Sequence, residues 1–116
     1  MDAEQVSEAQ ATVAKPKPKK RNKPKRQPRY NVILWDDDHH TYAYVIEMLM
    51  ELFGKTPEEG FLLAQEVDTT GRVILLTTTK EHAELKQEQV HAYGRDIRMA
   101  DCVGSMFCTI EPMPGD

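Results

Sequence analysis

The chain has 116 residues, with 15 Lys and Arg against 19 Asp and Glu and a formal net charge of −4. That length predicts one domain, and a body drawn from residues 30–116 buries only roughly 60–65% of its unfolded surface, which excludes large two-domain enzymes and long internal cofactor clefts. Charge is unevenly placed: residues 15–29 hold nine of the 15 bases and no acid, whereas residues 30–116 carry six bases and sixteen acids.

Residues 1–29 offer almost nothing to bury. The segment KPKPKKRNKPKRQPR alternates proline with positive charge, so missing donors and self-repulsion oppose both helix and packed strand. A disordered, Pro/Lys-rich basic arm over residues 1–29 is expected, ahead of a folded domain over residues 30–116. Clustered positive charge of this kind binds nucleic acid by neutralising phosphates. A nucleic-acid or ribosome-associated protein acting through the arm is therefore the alternative function, although the acidic body would repel the same polyanion. No stretch approaches the roughly 18 apolar residues of a membrane span, and the N-terminus lacks the apolar core of a secretion signal. A cytoplasmic monomer with no membrane contact is expected.

Order is expected from Tyr30. VILW (residues 32–35), ended by three aspartates, reads as a short buried strand. Val45, Met48, Leu49, Leu52 and Phe53 then fall at i, i+3, i+4, i+7 and i+8, one stripe of a helix over Tyr42–Phe53, with Gly54 where a left-handed cap belongs. Thr56, Pro57 and Glu59 announce a second helix through a cap, a first-turn proline and a capping box, running to about Val67. After Gly71 the β-branched and aliphatic residues of Arg72–Thr78 predict a second strand. Thr78 and Glu81 have the spacing of another capping box, opening a polar helix to about Tyr93 and Gly94. Residues 95–104 read as a long loop and MFCTI (residues 106–110) as the last strand. The resulting β-α-α-β-α-β order predicts an α+β fold, a two-layer sandwich in which three helices cover a three-stranded antiparallel sheet.

The chemistry concentrates in Asp36, Asp37, Asp38, His39 and His40. A metal site is one reading, but consecutive side chains diverge and no second ligand set follows at a usable spacing, so no metal is expected. A strand-to-helix turn with an Asp or Thr41 as cap is another, and it accounts for only one or two of the five residues. A third is recognition of an ammonium group by clustered carboxylates beside an apolar helix face. No Ser/His/Asp or Cys/His pairing and no glycine-rich phosphate loop is suggested. His82 and His91 are expected to face solvent, and Cys102 and Cys108 read as reduced structural thiols. Neither catalysis nor a cofactor is expected.

The stretch VILWDDDHHTYAYVIEMLMELFG resembles the start of the ClpS adaptor domain, an apolar strand, Asn-Asp-Asp, a turn and an apolar helix ending near glycine. The likeness continues through TPEEG, the pair Gly71 and Arg72, and the pattern T-x-E-x-A-E-x-K at Thr79, Glu81, Ala83, Glu84 and Lys86. It then takes in Val90, Tyr93, Arg95 and CTIE at residues 108–111, so it spans residues 30–111. The resemblance implies an adaptor, not an enzyme. Such a protein docks on the N-domain of a ClpA-type AAA+ unfoldase and delivers proteins with a bulky hydrophobic N-terminal residue for degradation by the Clp protease. By position it implies that Asp36, Asp37 and Asp68 hold the substrate's α-amino group. Leu34, Tyr42, Val45, Ala64, Val67 and Met106 would line the side-chain pocket, and Glu81, Glu84 and Lys86 would face the unfoldase. Departures from the family pattern are Asp for Asn at 36, Asp for His at 68, Tyr for a gatekeeping Met at 42, Ala for Met at 64, a longer loop before the last strand and a more basic arm.

Overall fold

The computed structural model describes residues 27–114, and the expected arm lies almost wholly outside the described residues. Its last residue is already tied down. The Arg29 carbonyl accepts from the Met113 N–H at 2.7 Å, and the guanidinium donates to the Thr77 carbonyl at 3.1 Å.

The elements are β1 (Tyr30–Trp35), α1 (Tyr42–Phe53), α2 (Pro57–Thr70), β2 (Arg72–Thr78), α3 (Lys80–His91) and β3 (Cys108–Pro112). β1 is central, antiparallel to β2 on one side and to β3 on the other. With both edges paired, Val32, Ile33 and Leu34 keep no exposed surface, and Val32 and Leu34 enter the core beneath the helices. The register with β2 shifts between Val32 and Ile33, leaving Leu75 as the extra residue of a bulge.

α1 buries Val45, Met48 and Leu49 as its spacing predicts, and Tyr44 as well. The buried Tyr44 hydroxyl is satisfied by donating to the Gly94 carbonyl. Gly54 ends the helix at φ 65°, a region open to glycine without strain. α2 opens on reciprocal hydrogen bonds, Glu59 N–H to Thr56 Oγ1 at 3.1 Å and Thr56 N–H to Glu59 Oε1 at 2.9 Å. It runs on to Thr70 rather than stopping near Val67, which places Asp68 in its last turn. Where the two helices meet, a Cβ on Gly60 would stand 3.2 Å from Ile46 Cγ2, so glycine is what permits this close approach.

The boundaries of α3 and of β3 also differ from expectation. The cap of α3 is Thr79, whose Oγ1 accepts from the His82 N–H at 3.2 Å, because Thr78 is still paired with Tyr30 in the sheet. α3 ends at His91, short of Tyr93. β3 begins at Cys108, where it meets Leu34, and continues to Pro112. The apolar run at residues 106–107 belongs to other contacts: Met106 is buried toward the helices, and Phe107 stacks on the His91 ring with centroids 5.9 Å apart. Cys102 and Cys108 are both buried free thiols.

Candidate binding site

Two backbone hydrogen bonds extend the sheet past the end of β1 and fix where its acidic tail emerges. Trp35 N–H donates to the Phe107 carbonyl at 3.1 Å and Asp36 N–H to the Gly71 carbonyl at 3.0 Å. Asp36 thereby leaves the sheet close to the C-terminus of α2. Asp37 then accepts from the His39 N–H at 2.8 Å, folding the chain into a tight turn. Both Asp37 oxygens also lie against His40 Nδ1, at 2.8 and 2.9 Å, while His40 Nε2 sits 2.8 Å from the Gly104 carbonyl. Only 4% of the His40 side chain is exposed. The imidazole is clamped at both nitrogens and holds the Asp37 carboxylate in place.

The turn ends at Thr41, which caps α1 by accepting the Tyr44 N–H on Oγ1 at 3.1 Å. The loop before β3 supports this cap through the fully buried Asp96 and closes over His40 through Gly104.

These elements enclose a small cavity of about 40 Å3 lined by Asp36, Asp37, His40, Thr41, Tyr42, Val45, Ala64, Val67, Asp68 and Met106. Val45, Ala64, Val67 and Met106 are nearly fully buried and form its apolar wall. Asp36, Asp37 and Asp68 form its acidic side. The Tyr42 hydroxyl donates to Asp68 Oδ2 at 2.8 Å, linking α1 to α2 across the mouth, and the Tyr42 ring leans on Phe61 with centroids 5.8 Å apart. Leu34, expected on the wall, does not line the cavity, because its side chain is wholly buried in the core beneath. His40 and Thr41 line it without having been expected there.

Among these carboxylates Asp36 has its proton affinity raised. Partial burial pushes the Asp36 carboxyl up, the Asp37 backbone N–H pulls it down, and the charges of Asp68, Asp37 and Asp38 push it up again, leaving it above its ordinary value. A cation placed among these groups relieves that repulsion. Among the described residues no three His, Cys, Asp or Glu side chains converge as a metal-binding group, and His39 instead pairs with the exposed Asp101 at 3.1 Å. The site sets clustered negative charge beside an apolar wall.

Glu81 and Glu84 are exposed on α3. Lys86 is half-buried: its Nζ donates to the Leu52 carbonyl at the end of α1 and to Gln89 Oε1, and lies 5.3 Å from the centre of the Phe53 ring. Two of the three residues expected to face an unfoldase are free to do so, and the third ties α3 to α1. His82 and His91 are exposed as expected, although His91 Nε2 accepts from the Cys108 N–H at 3.1 Å. No helix among the described residues is long and apolar enough to cross a membrane.

The three aspartates and four apolar residues thus form an acid-rimmed apolar cavity on an α+β sandwich. The fold is that of Agrobacterium tumefaciens ClpS2 bound to L-phenylalaninamide, with a TM-score of 0.66 and 22% identity over 76% of this chain and 100% of that one. The profile of the ATP-dependent Clp protease adaptor protein ClpS matches residues 25–99. The ATP-dependent Clp protease adapter protein ClpS of Methylococcus capsulatus is 33% identical over 89 residues, 77% of this chain and 79% of that protein. That of Desulforapulum autotrophicum is 33% identical over 69 residues, covering 60% and 66%, and that of Nautilia profundicola 35% over 66 residues, covering 57% and 68%. The chain belongs to the ClpS family of Clp protease adaptors.

Proposed function

We propose that this protein docks on the N-domain of a ClpA-type AAA+ unfoldase and delivers substrates bearing a bulky hydrophobic N-terminal residue for degradation by the Clp protease. The observation that carries this reading is the convergence of Asp36, Asp37 and Asp68 on one rim of a cavity whose wall is Val45, Ala64, Val67 and Met106. A free α-amino group is a cation with three donors. The carboxylates meet its charge while the first side chain enters beside them. L-phenylalaninamide, found on ClpS2, has this chemistry, a free amine next to a benzyl group. Asp68 meets the amine by charge and by accepting one of its N–H donors. Glu81 and Glu84 on α3 supply the docking face, with Lys86 fixing that helix to α1. The protein acts as a cytoplasmic monomer without cofactor and without catalysis of its own, and the basic arm serves as a tether during handoff.

The test is delivery. A reporter protein beginning with Phe, mixed with a ClpA-type unfoldase and its peptidase, should be degraded several-fold faster when this chain is added, and a reporter beginning with Ser should not. Equal rates for the two reporters would defeat the reading.

A further inference from the structure

The cavity is too small for the side chains that the adaptor reading assigns to it. Its volume of about 40 Å3 is well below the roughly 150 Å3 of a cavity that takes up benzene, the ring a first-position Phe would bring. Some part of the wall must move for a bulky residue to enter.

The candidates to move differ sharply in how they are held. Val45, Ala64, Val67 and Met106 are between 2 and 4% exposed and packed into the core, and displacing them would disrupt close packing on several sides. Tyr42 is 37% exposed at the first position of α1. Its ring already rests against Phe61, itself 44% exposed, so a rotated ring finds an apolar surface beside it. What holds Tyr42 over the mouth is the hydrogen bond from its hydroxyl to Asp68 Oδ2.

Resting on the adaptor reading above, we propose that Asp68 latches Tyr42 across the cavity mouth, and that a substrate's α-ammonium group opens the site by taking Asp68 from the Tyr42 hydroxyl. The two donors compete for one carboxylate. A phenol offers a single neutral O–H, whereas an ammonium offers three donors and a full charge, and charge-assisted hydrogen bonds are roughly twice as strong as neutral ones. Capture of the amine and opening of the side-chain pocket are then a single event. An N-terminus that lacks the charge leaves the latch closed. Tyr42 and Asp68 thus make entry of a bulky first residue conditional on a free α-amino group beside it.

The discriminating variant is Tyr42→Phe, which keeps the ring against Phe61 and removes only the hydroxyl. The hydroxyl lies at the surface, so the thermal midpoint should stay close to that of the parent chain. Two labelled peptides, identical but for Phe or Ala at the first position, are titrated against both proteins, and association is followed by stopped flow. The latch predicts that the variant binds the Phe-first peptide roughly three- to tenfold more tightly, the worth of one hydrogen bond, and associates with it faster. The Ala-first peptide, whose ammonium takes the same carboxylate, should gain affinity by a similar factor. Unchanged or weaker Phe-first binding in the variant, with clear binding by the parent chain, overturns the latch and leaves the adaptor reading standing. Failure of the parent chain to bind any free-amine peptide overturns both.

Discussion

Asp96 and Thr41 lie 55 residues apart in the chain, yet Asp96 Oδ2 accepts both the backbone N–H and the hydroxyl of Thr41, at 2.7 and 2.8 Å. Asp96 has no exposed surface, and its other oxygen accepts from the Arg98 N–H at 3.0 Å and from the Arg98 guanidinium at 3.3 Å. Arg98 in turn pairs with Glu47 of α1 at 2.6 Å. The loop before β3 is therefore pinned to the start of the helix that carries Tyr42 and Val45. Asp96→Ala would leave several part-buried donors without their acceptor and should cost about 2 kcal/mol, read as a lowered midpoint in chemical denaturation. A loss below about 0.5 kcal/mol would show that the loop is not held this way.

The same carboxylate makes stability acid-sensitive. Burial alone would push Asp96 up, but the hydrogen bonds from Thr41 and Arg98 outweigh it and bring it down to about 2. A group depressed in the folded state contributes stability above its unfolded value, near 3.9, and that contribution is lost as the pH falls through the folded value. Between about pH 4 and pH 2 the parent chain should lose about 2 kcal/mol through this group. Denaturation midpoints across that window should fall more steeply for the parent than for Asp96→Ala, and parallel profiles would count against the assignment.

Peptide binding should have its own pH dependence, set by Asp36. Its carboxyl is raised by burial and by the surrounding aspartates, so on acidification it takes up a proton before an ordinary exposed aspartate does. A cation held by Asp36 loses that partner as the pH falls. Affinity for a free-amine peptide should begin to decline above the range where exposed carboxylates titrate, and in Asp36→Asn the onset should move to lower pH with weaker binding throughout. Identical profiles would remove Asp36 from the amine site.

On α3 the two kinds of charge should separate. Glu84 is exposed and Glu84→Lys should leave stability within about 0.5 kcal/mol while weakening association with a ClpA-type N-domain. Lys86→Glu removes donors to the Leu52 carbonyl and Gln89 and the contact with Phe53. It should lower stability by about 1 kcal/mol as well as weaken docking. Calorimetry with the isolated N-domain, beside thermal melts, checks both, and a destabilised Glu84→Lys would contradict this division.

The fold was largely legible because its signals are local. The spacing from Val45 to Phe53 and the caps at Gly54, Thr56 and Glu59 each act within a few residues, and the helices form where those residues stand. The errors arose where a local signal was ambiguous. Thr78 stands at capping-box spacing before Glu81, but it pairs with Tyr30 in the sheet, and the cap falls to Thr79. Met106 and Phe107 look like the start of a strand, but the ladder begins where Cys108 meets Leu34. Of the site, the acidic cluster and the apolar stripe were readable. Asp96 was not, since nothing near it in sequence marks a partner 55 residues away. His40, read as part of a turn, gains its place through Asp37 and the distant Gly104, and Leu34 left the pocket wall because it is wholly buried in the central strand.

Equilibrium titration of the intact chain with a Phe-first peptide and with its N-acetylated twin tests the central claim most directly. Acetylation removes the positive charge and two donors while leaving the side chain unchanged. Capture of an α-ammonium group by Asp36, Asp37 and Asp68 predicts saturable binding of the free peptide and at least tenfold weaker binding of the acetylated one. Equal affinities, or no binding of either, would contradict it.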